Sequence, residues 1–416
     1  MMAKTAVRSL ILSFSLASLA FSGSADPRPK SPRQSASGGD SDLAVHEWGT
    51  FTSVADRSGQ AVTWHPLDGV YDLPEFVEHF RSLNFKVSLQ GRIRMETPVL
   101  YFYSSRPVTV SARVGFASGI ITEWYPHASH VEPDPQKVLD ERALYHWLQV
   151  DGGIEWDSVS VEPGLAARFP SDGRESRYYA ARETSAAPLA VKTASGAQQE
   201  KFLFYRGVSA FHVPIAAESD ADGKVTIRNL GEDEVPRVIL FERRGDRLGY
   251  RLLSAAKGTR QHGAQNEYLL DPPELTSTVE SLSEDLESVL IEQGLFPDEA
   301  RAMVTTWRSS WFEEGSRLLY IVPRAFVDEV LPLSVSPAPS QTVRVFVGRM
   351  ELINPATEQA VEDALASHDR YTINKYGRFL EPILDQLKAE NPSRADELDR
   401  ELQDTYSVQV DDPQAN

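Results

Sequence analysis

Residues 45–54 read Val45-His46-Glu47-Trp48-Gly49-Thr50-Phe51-Thr52-Ser53-Val54, and how this segment is read decides the fold. β-branched and aromatic side chains dominate it and proline is absent, so it is a strand rather than a helix. His46-Glu47 invites comparison with the zinc-protease helix, in which a second histidine follows the first by four positions. Position 50 is Thr50 and the segment is a strand, so that reading fails twice. Neighbours on a regular strand project to opposite faces, and His46 and Glu47 share one ion only at a bulge.

Working downstream, residues 56–59 turn the chain into a second short strand at 61–64, which predicts an opening hairpin. Residues 66–74 read as loop. Strands follow at 92–103, 108–116 and 120–125 with no helix between them, and this points to an antiparallel sheet. A helix is predicted at 137–150 and an alternating strand at 154–161. Together they define an N-terminal β-rich lobe, residues 43–172.

Residues 173–199 are polar and weakly patterned and read as an irregular connection. A second β-lobe is expected over 200–354, opened by residues 201–207, a continuous apolar run typical of a strand covered on both faces. Its strands recur about every ten residues with turn signals between them, which suits a sandwich. A helical hairpin, 277–313, is inserted in this lobe. Ser277 with Glu280 marks its start as a capping box, and Gly294 and Pro297 separate its two helices. Ala300, Met303, Val304, Trp307 and Trp311 line one side of the second helix.

The tail, 355–416, is helical, with Pro382 forcing a kink or a restart. Residues 381–416 carry ten acids against three bases and read as a solvated acidic face. The fold class is therefore mainly β: two antiparallel sandwich-like lobes, an inserted helical hairpin and a helical C-terminal tail.

Working upstream, residues 1–25 have the form of a signal peptide. Lys4 and Arg8 charge its start, an apolar run follows, and small residues offer cleavage near Ala25. Residues 26–42, rich in proline, serine and glycine, read as a flexible linker. Elsewhere no apolar run is long enough for a membrane span.

The chain contains no cysteine, so disulfides, thiolate metal sites, cysteine nucleophiles and a lipid-acceptor cysteine are all excluded. These features imply a periplasmic or secreted protein of bacterial type. Net charge is -18, and removing Lys4 and Arg8 with the signal takes it to -20. Nucleic acid would be repelled.

Candidate chemistry is sparse. Glu123, His127 and His130, with His46 from a neighbouring strand, form the best metal constellation, and imidazole with carboxylate suits zinc. Glu47 or Glu96 would then serve as base. Carboxylate pairs for glycoside hydrolysis can be drawn from Glu47, Glu96, Glu123 and Glu155, in a half that holds five of the seven tryptophans. Glu218, Asp220 and Asp222 before Gly223 resemble half of a calcium loop, but the twelfth position is Asn229, and a hairpin turn explains them better. No nucleophile elbow, phosphate loop or dinucleotide fingerprint occurs.

Residues 94–103 and 119–126, taken with His46 to Val54, resemble uncharacterised exported bacterial proteins that open with the same His-Glu-Trp-Gly-Thr-Phe-Thr string. Looser similarity extends to residues 300–307 and 344–349. The resemblance implies export and a shared two-lobed β architecture, and it transfers no functional residue. The leading expectation is a non-enzymatic binding or structural protein of the cell envelope or extracellular space, acting on a polysaccharide or another envelope protein. A metal-assisted hydrolase and a carboxylate-pair glycosidase are the alternatives.

Overall fold

β1 (Ala44–Ala55) is buried along its whole length beyond Ala44, because strands flank it on both sides and packed layers cover both faces. In the computed structural model the described residues are 42–67, 72–79, 89–134, 151–260 and 266–411, with side chains described to residue 405. The signal and nearly all of the linker fall outside them, as does the helix expected at 137–150.

The strands that follow are β2 (Glu78–His79), β3 (Ile93–Tyr103), β4 (Val108–Phe116), β5 (Gly119–Tyr125), β6 (His130–Glu132), β7 (Gly152–Val161), β8 (Leu189–Thr193) and β9 (Gly196–Glu200). Then come β10 (Leu203–Ser209), β11 (Ile215–Ser219), β12 (Val225–Asn229), β13 (Val238–Arg244), β14 (Arg247–Leu253) and β15 (Glu267–Leu270). Helices α1 (Val279–Glu292) and α2 (Pro297–Trp311) precede β16 (Gly315–Ile321), and α3 (Arg324–Val330) leads to β17 (Leu333–Ser336) and β18 (Gln341–Leu352). The chain ends in α4 (Pro355–Ser367), α5 (Arg370–Lys375), α6 (Leu380–Glu390) and α7 (Ala395–Asp411).

The protein is mainly β, with several antiparallel sheets and a helical C-terminal region. A nine-stranded sheet in the order β14-β13-β16-β18-β1-β3-β10-β5-β2 forms its centre. β1 pairs antiparallel with β3 but parallel with β18, register Ala44 on Gln341 through Ala55 on Leu352. The expected connection at 173–199 thus does not separate two sheets: the central one takes strands from both sides of it. This parallel pair, the only one among the described residues, corrects the all-antiparallel expectation, since strands almost three hundred residues apart need no tight turn to meet.

One face of this sheet carries α1 and α2, which bury Trp48, Val99, Tyr101, Val345 and Val347 against Leu286, Met303 and Trp307. Thr278, not Ser277, is the N-cap, reciprocated by Ser281. Gly294, at φ +107°, and Pro297 divide the two helices as the sequence predicts. The other face packs Phe51, Leu100, Phe102 and Phe346 against the six-stranded sheet β17-β4-β7-β8-β9, with β6 paired to β7, and the three-stranded sheet β11-β12-β15.

The tail departs from expectation. Ile373, Phe379, Leu380, Ile383, Leu384 and Leu398 close over Val54, Trp64 and Ile353 as a third core, so the acidic face is only its outer side. Pro382 sits in the first turn of α6, where its missing N–H leaves no bond unmade.

A bulge distorts the sheet centre. Thr97 and Pro98 on β3 stand opposite Gly49 alone, and the irregularity continues between Phe204 and Gly207 on β10 and between Arg206 and Gly207 toward β5. Thr97 has φ +46°, a left-handed conformation that a β-branched residue adopts only under strain. Gly49 permits the bulge: a Cβ there would lie 2.7 Å from Phe346 Cε1 and 3.1 Å from Pro98 Cα. Gly49→Ala should therefore destabilise the fold by about 1–3 kcal/mol, measured as a lower urea midpoint at unchanged slope. An unchanged midpoint would mean that the bulge yields without strain.

Candidate functional site

The bulge divides the helix-facing side of the central sheet into an apolar half and a polar half. Paired residues point the same way, so Thr50 opposite Glu96, and Thr52 between Arg94 and Arg349, share one face. Arg206 opposite Glu123, and Arg317 opposite Glu351, extend the polar band across β10, β5, β16 and β18. All nine of these side chains are buried. Above them stand Trp307 and Trp311 of α2, stacked with ring centres 6.3 Å apart, with the Arg177 guanidinium 4.7 Å from the Trp307 ring. The tail contributes Arg378, which donates to Glu96 Oε1 at 2.8 Å.

Six arginines (Arg94, Arg177, Arg206, Arg317, Arg349, Arg378) meet five carboxylates (Asp72, Glu96, Glu123, Glu313, Glu351) here. Arg206 donates to both Asp72 oxygens, at 2.7 and 3.1 Å, and Arg317 donates to Glu351 Oε2 at 3.0 Å. Burial alone would raise the Glu96 carboxyl, but Arg378, Arg94 and Arg177 outweigh it and hold the group well below its usual 4.5. Asp72 is held low in the same way by Arg206 and Arg177. Burial, with like-charged neighbours, pulls Arg94 and Arg349 down to about 10, so both stay charged at neutral pH.

Several groups here have no hydrogen-bond partner among the described residues: Thr50 Oγ1, Thr52 Oγ1, Arg94 Nε, Glu96 Oε2, Arg206 Nε and Arg349 Nη1, with Thr306 Oγ1, Trp307 Nε1 and Trp311 Nε1 on the helix above; Glu96 Oε2 keeps ion pairs with Arg94 and Arg177. Arg94 Nε and Glu96 Oε2 face each other at 4.0 Å, too far for a hydrogen bond. Each buried unpartnered group costs roughly 1–3 kcal/mol. Their concentration in one band marks it as the candidate site.

The residues singled out in the sequence scatter around this band. His46 is fully buried, its Nδ1–H donating to Glu299 Oε2 at 2.8 Å, its ring stacked 4.5 Å from Phe296 and its Nε2 unpartnered. Tyr103 and the Phe296 amide donate to the same carboxylate. Glu47 lies on the opposite face, where Tyr205 and Arg344 Nε each donate to it at 2.5 Å. Glu123 accepts from the Thr122 hydroxyl. His127 is exposed and pairs with Glu78 at 2.9 Å, and His130 stands on exposed β6 in register with Glu155.

The expected zinc constellation of His46, Glu123, His127 and His130 is therefore not assembled, because each histidine is taken up by a different carboxylate or strand. Among the described residues no group of three or more His, Asp or Glu side chains is placed to hold a metal. Glu47 and Glu96 point to opposite faces, and both are committed to arginines, so they do not flank a common substrate. Asp220 caps a hairpin turn between β11 and β12, accepting from the amides of Asp222 and Lys224, which is the turn reading of that stretch.

Sequence reasoning missed the arginines. The available signal was a charge inside a continuous apolar strand, as at Arg206 in residues 201–207, or charges two apart, as at Arg94 and Glu96 or Arg349 and Glu351. Such residues are buried only with partners.

No family model matches the sequence, and no curated protein does. Among solved structures, the yeast delta-COP-I mu-homology domain complexed with a Dsl1 WxWxV peptide is similar at 8% identity and a TM-score of 0.27, covering 77% of this chain and 100% of that one. A likeness of that size carries no assignment of fold or function.

The electrostatics predict an acid limb to stability. Glu96 and Asp72 hold protons less readily folded than unfolded, so their stabilisation is complete above the usual 4.5 of a glutamate and is lost as pH falls below it. Glu96→Gln should lower the urea midpoint at pH 7 and flatten its fall between pH ~5 and ~3. An acid limb as steep as that of the unaltered chain would remove Glu96 from this account.

Proposed function

We propose that this chain is an exported, non-enzymatic binding protein whose ligand site is the arginine-rich band between the central sheet, α2 and the C-terminal tail. The observation that carries the reading is the set of buried, unpartnered donors and acceptors gathered at the strained bulge. A buried ion-pair network that is only partly satisfied is worse for stability than an apolar core. Its polar groups therefore find their natural complement in a bound molecule.

Export rests on the signal-like residues 1–25 and on the absence of cysteine. Among the described residues no helix is long and apolar enough to cross a membrane. A site enclosed by the sheet below and by α2 and the tail above suits a small molecule, or one terminal group of a larger one, better than a length of polysaccharide. The catalytic alternatives lack a comparable observation, since Glu47 is locked to Arg344 and Tyr205 and the histidines stand apart.

Elemental analysis by mass spectrometry of the chain purified after export, without a histidine tag, should find no stoichiometric metal, and a chelator should leave its unfolding temperature unchanged. Near one zinc per chain, lost in His127→Ala, would replace this reading with the metal-assisted hydrolase. Denaturing the dialysed protein should also release a small molecule that native dialysis retains.

A further inference from the structure

We infer that the first half of β18 is a docking edge for an extended segment of another protein, which joins the central sheet there as an added strand. The site lies at the other end of β18 from Arg349 and Glu351 and does not depend on the arginine band.

β18 is longer than one of its neighbours. On one side β1 pairs with all of it, Gln341 to Leu352, but on the other β16 pairs only from Val347 to Leu352. The chain then leaves the sheet through Pro323 into α3. The last bond on that side runs from the Val322 amide to the Phe346 carbonyl. Alternate residues of a strand direct their amides and carbonyls to the same side, so Thr342 and Arg344 present theirs to the gap that β16 leaves. Among the described residues no strand fills it. A side chain reaches in instead: Arg324 donates from Nη1 to the Thr342 carbonyl at 3.1 Å and from Nε to Asp328 at 2.7 Å. Proteins blunt open edges with proline and charged side chains, but Arg324 answers only the Thr342 carbonyl.

Two clefts, of about 440 and 380 Å³, flank this edge, and Arg324, Thr342 and Arg344 line both. The larger lies by Leu333 and Val335 of β17, on the side of the smaller sheets. The other lies by Val343 and Val345, on the helix side. Successive residues of an added strand project to opposite faces, so its side chains enter the two clefts in turn. Main-chain bonds then supply affinity and the clefts supply selectivity.

The clefts also name the chemistry of the occupant. Pro236, Ile321, Val343 and Val345 suit an aliphatic side chain. On the other face Arg324 is half-exposed, and Arg344 Nη2 is buried with no hydrogen-bond partner among the described residues. Both guanidinium groups are donors only, so the alternate side chain is an acceptor, asparagine, glutamine or an acid. The partner is therefore a peptide strand alternating aliphatic and acceptor residues.

Selection from phage-displayed random dodecapeptides on the purified exported chain, then calorimetry with the selected sequence as a synthetic peptide, tests the site. The peptide should show this alternation, bind at one per chain and slow deuterium exchange at the Thr342 and Arg344 amides. Thr342→Pro removes a donor that faces the gap rather than β1, so it should weaken binding by about tenfold at an unchanged urea midpoint. N-methylation of the peptide should abolish binding at every second amide and be tolerated at those between, the period of a strand pairing.

No peptide selected, or exchange slowed elsewhere than at residues 341–345, overturns the site. So does unchanged affinity in Thr342→Pro. Harm from N-methylation without alternation overturns strand addition, and this series, run on the unaltered chain, decides the matter should Thr342→Pro fail to fold.

Discussion

The structure depends on the parallel pairing of β1 with β18. These strands lie side by side at the middle of a nine-stranded sheet, in register over twelve residue pairs, although one is the first and the other the last of the described strands. Every layer is hung on this seam: α1 and α2 cover one face of it, the two smaller sheets cover the other, and the tail closes over its end at Val54 and Ile353. Closing a loop of this length costs entropy that grows only slowly with length. The return is a strand pair desolvated on both faces.

Burying β1 on both sides obliges each of its polar residues to find an answer, and the answers differ by face. Glu47 meets Tyr205 and Arg344 of the neighbouring β18, and Arg344 reaches on to the half-exposed Asp328. His46 meets Glu299, which also caps the start of α2 through the Phe296 amide and so ties the helical hairpin to the seam. The hydroxyls of Thr50 and Thr52 meet no hydrogen-bond partner among the described residues. The chemically conspicuous pair is thus structural, and the unremarkable threonines two and four positions beyond Glu47's neighbour Trp48 belong to the candidate site.

This explains what was legible in the sequence and what was not. Strand and helix types, the helical hairpin with its Gly294 and Pro297, and the buried run ending at Gly207 were all set by local period and turn chemistry. The β1–β18 pairing was not, because parallel partners almost three hundred residues apart leave no local mark, and without it the chain reads as two lobes. The tail's docking was hidden for a related reason: its acids outnumber its bases on the outer side, and only the stripe from Ile373 to Leu387 records the inner one. The metal reading failed at the same step, since spacing along a strand says nothing about which carboxylate each histidine will meet.

The polar band is best understood through what it costs. Replacing a buried ion pair by well-packed apolar residues is often neutral or stabilising, yet here burial, with other arginines close by, depresses Arg94 and Arg349. Thr97 holds a left-handed backbone beside them, which in a β-branched residue costs of order 1–3 kcal/mol. Arg206 reaches its hydroxyl at 3.3 Å, so the strained backbone and the arginine network are joined by a direct contact. Conflict is concentrated here without being confined here: Ser118 and His368 also hold positive φ, and Tyr320 OH and Arg344 Nη2 are buried with no hydrogen-bond partner among the described residues. Such a concentration is what a site built for something outside the chain looks like. A bound molecule that answered these unpartnered groups would link its occupancy thermodynamically to the stability of the β1–β18 seam.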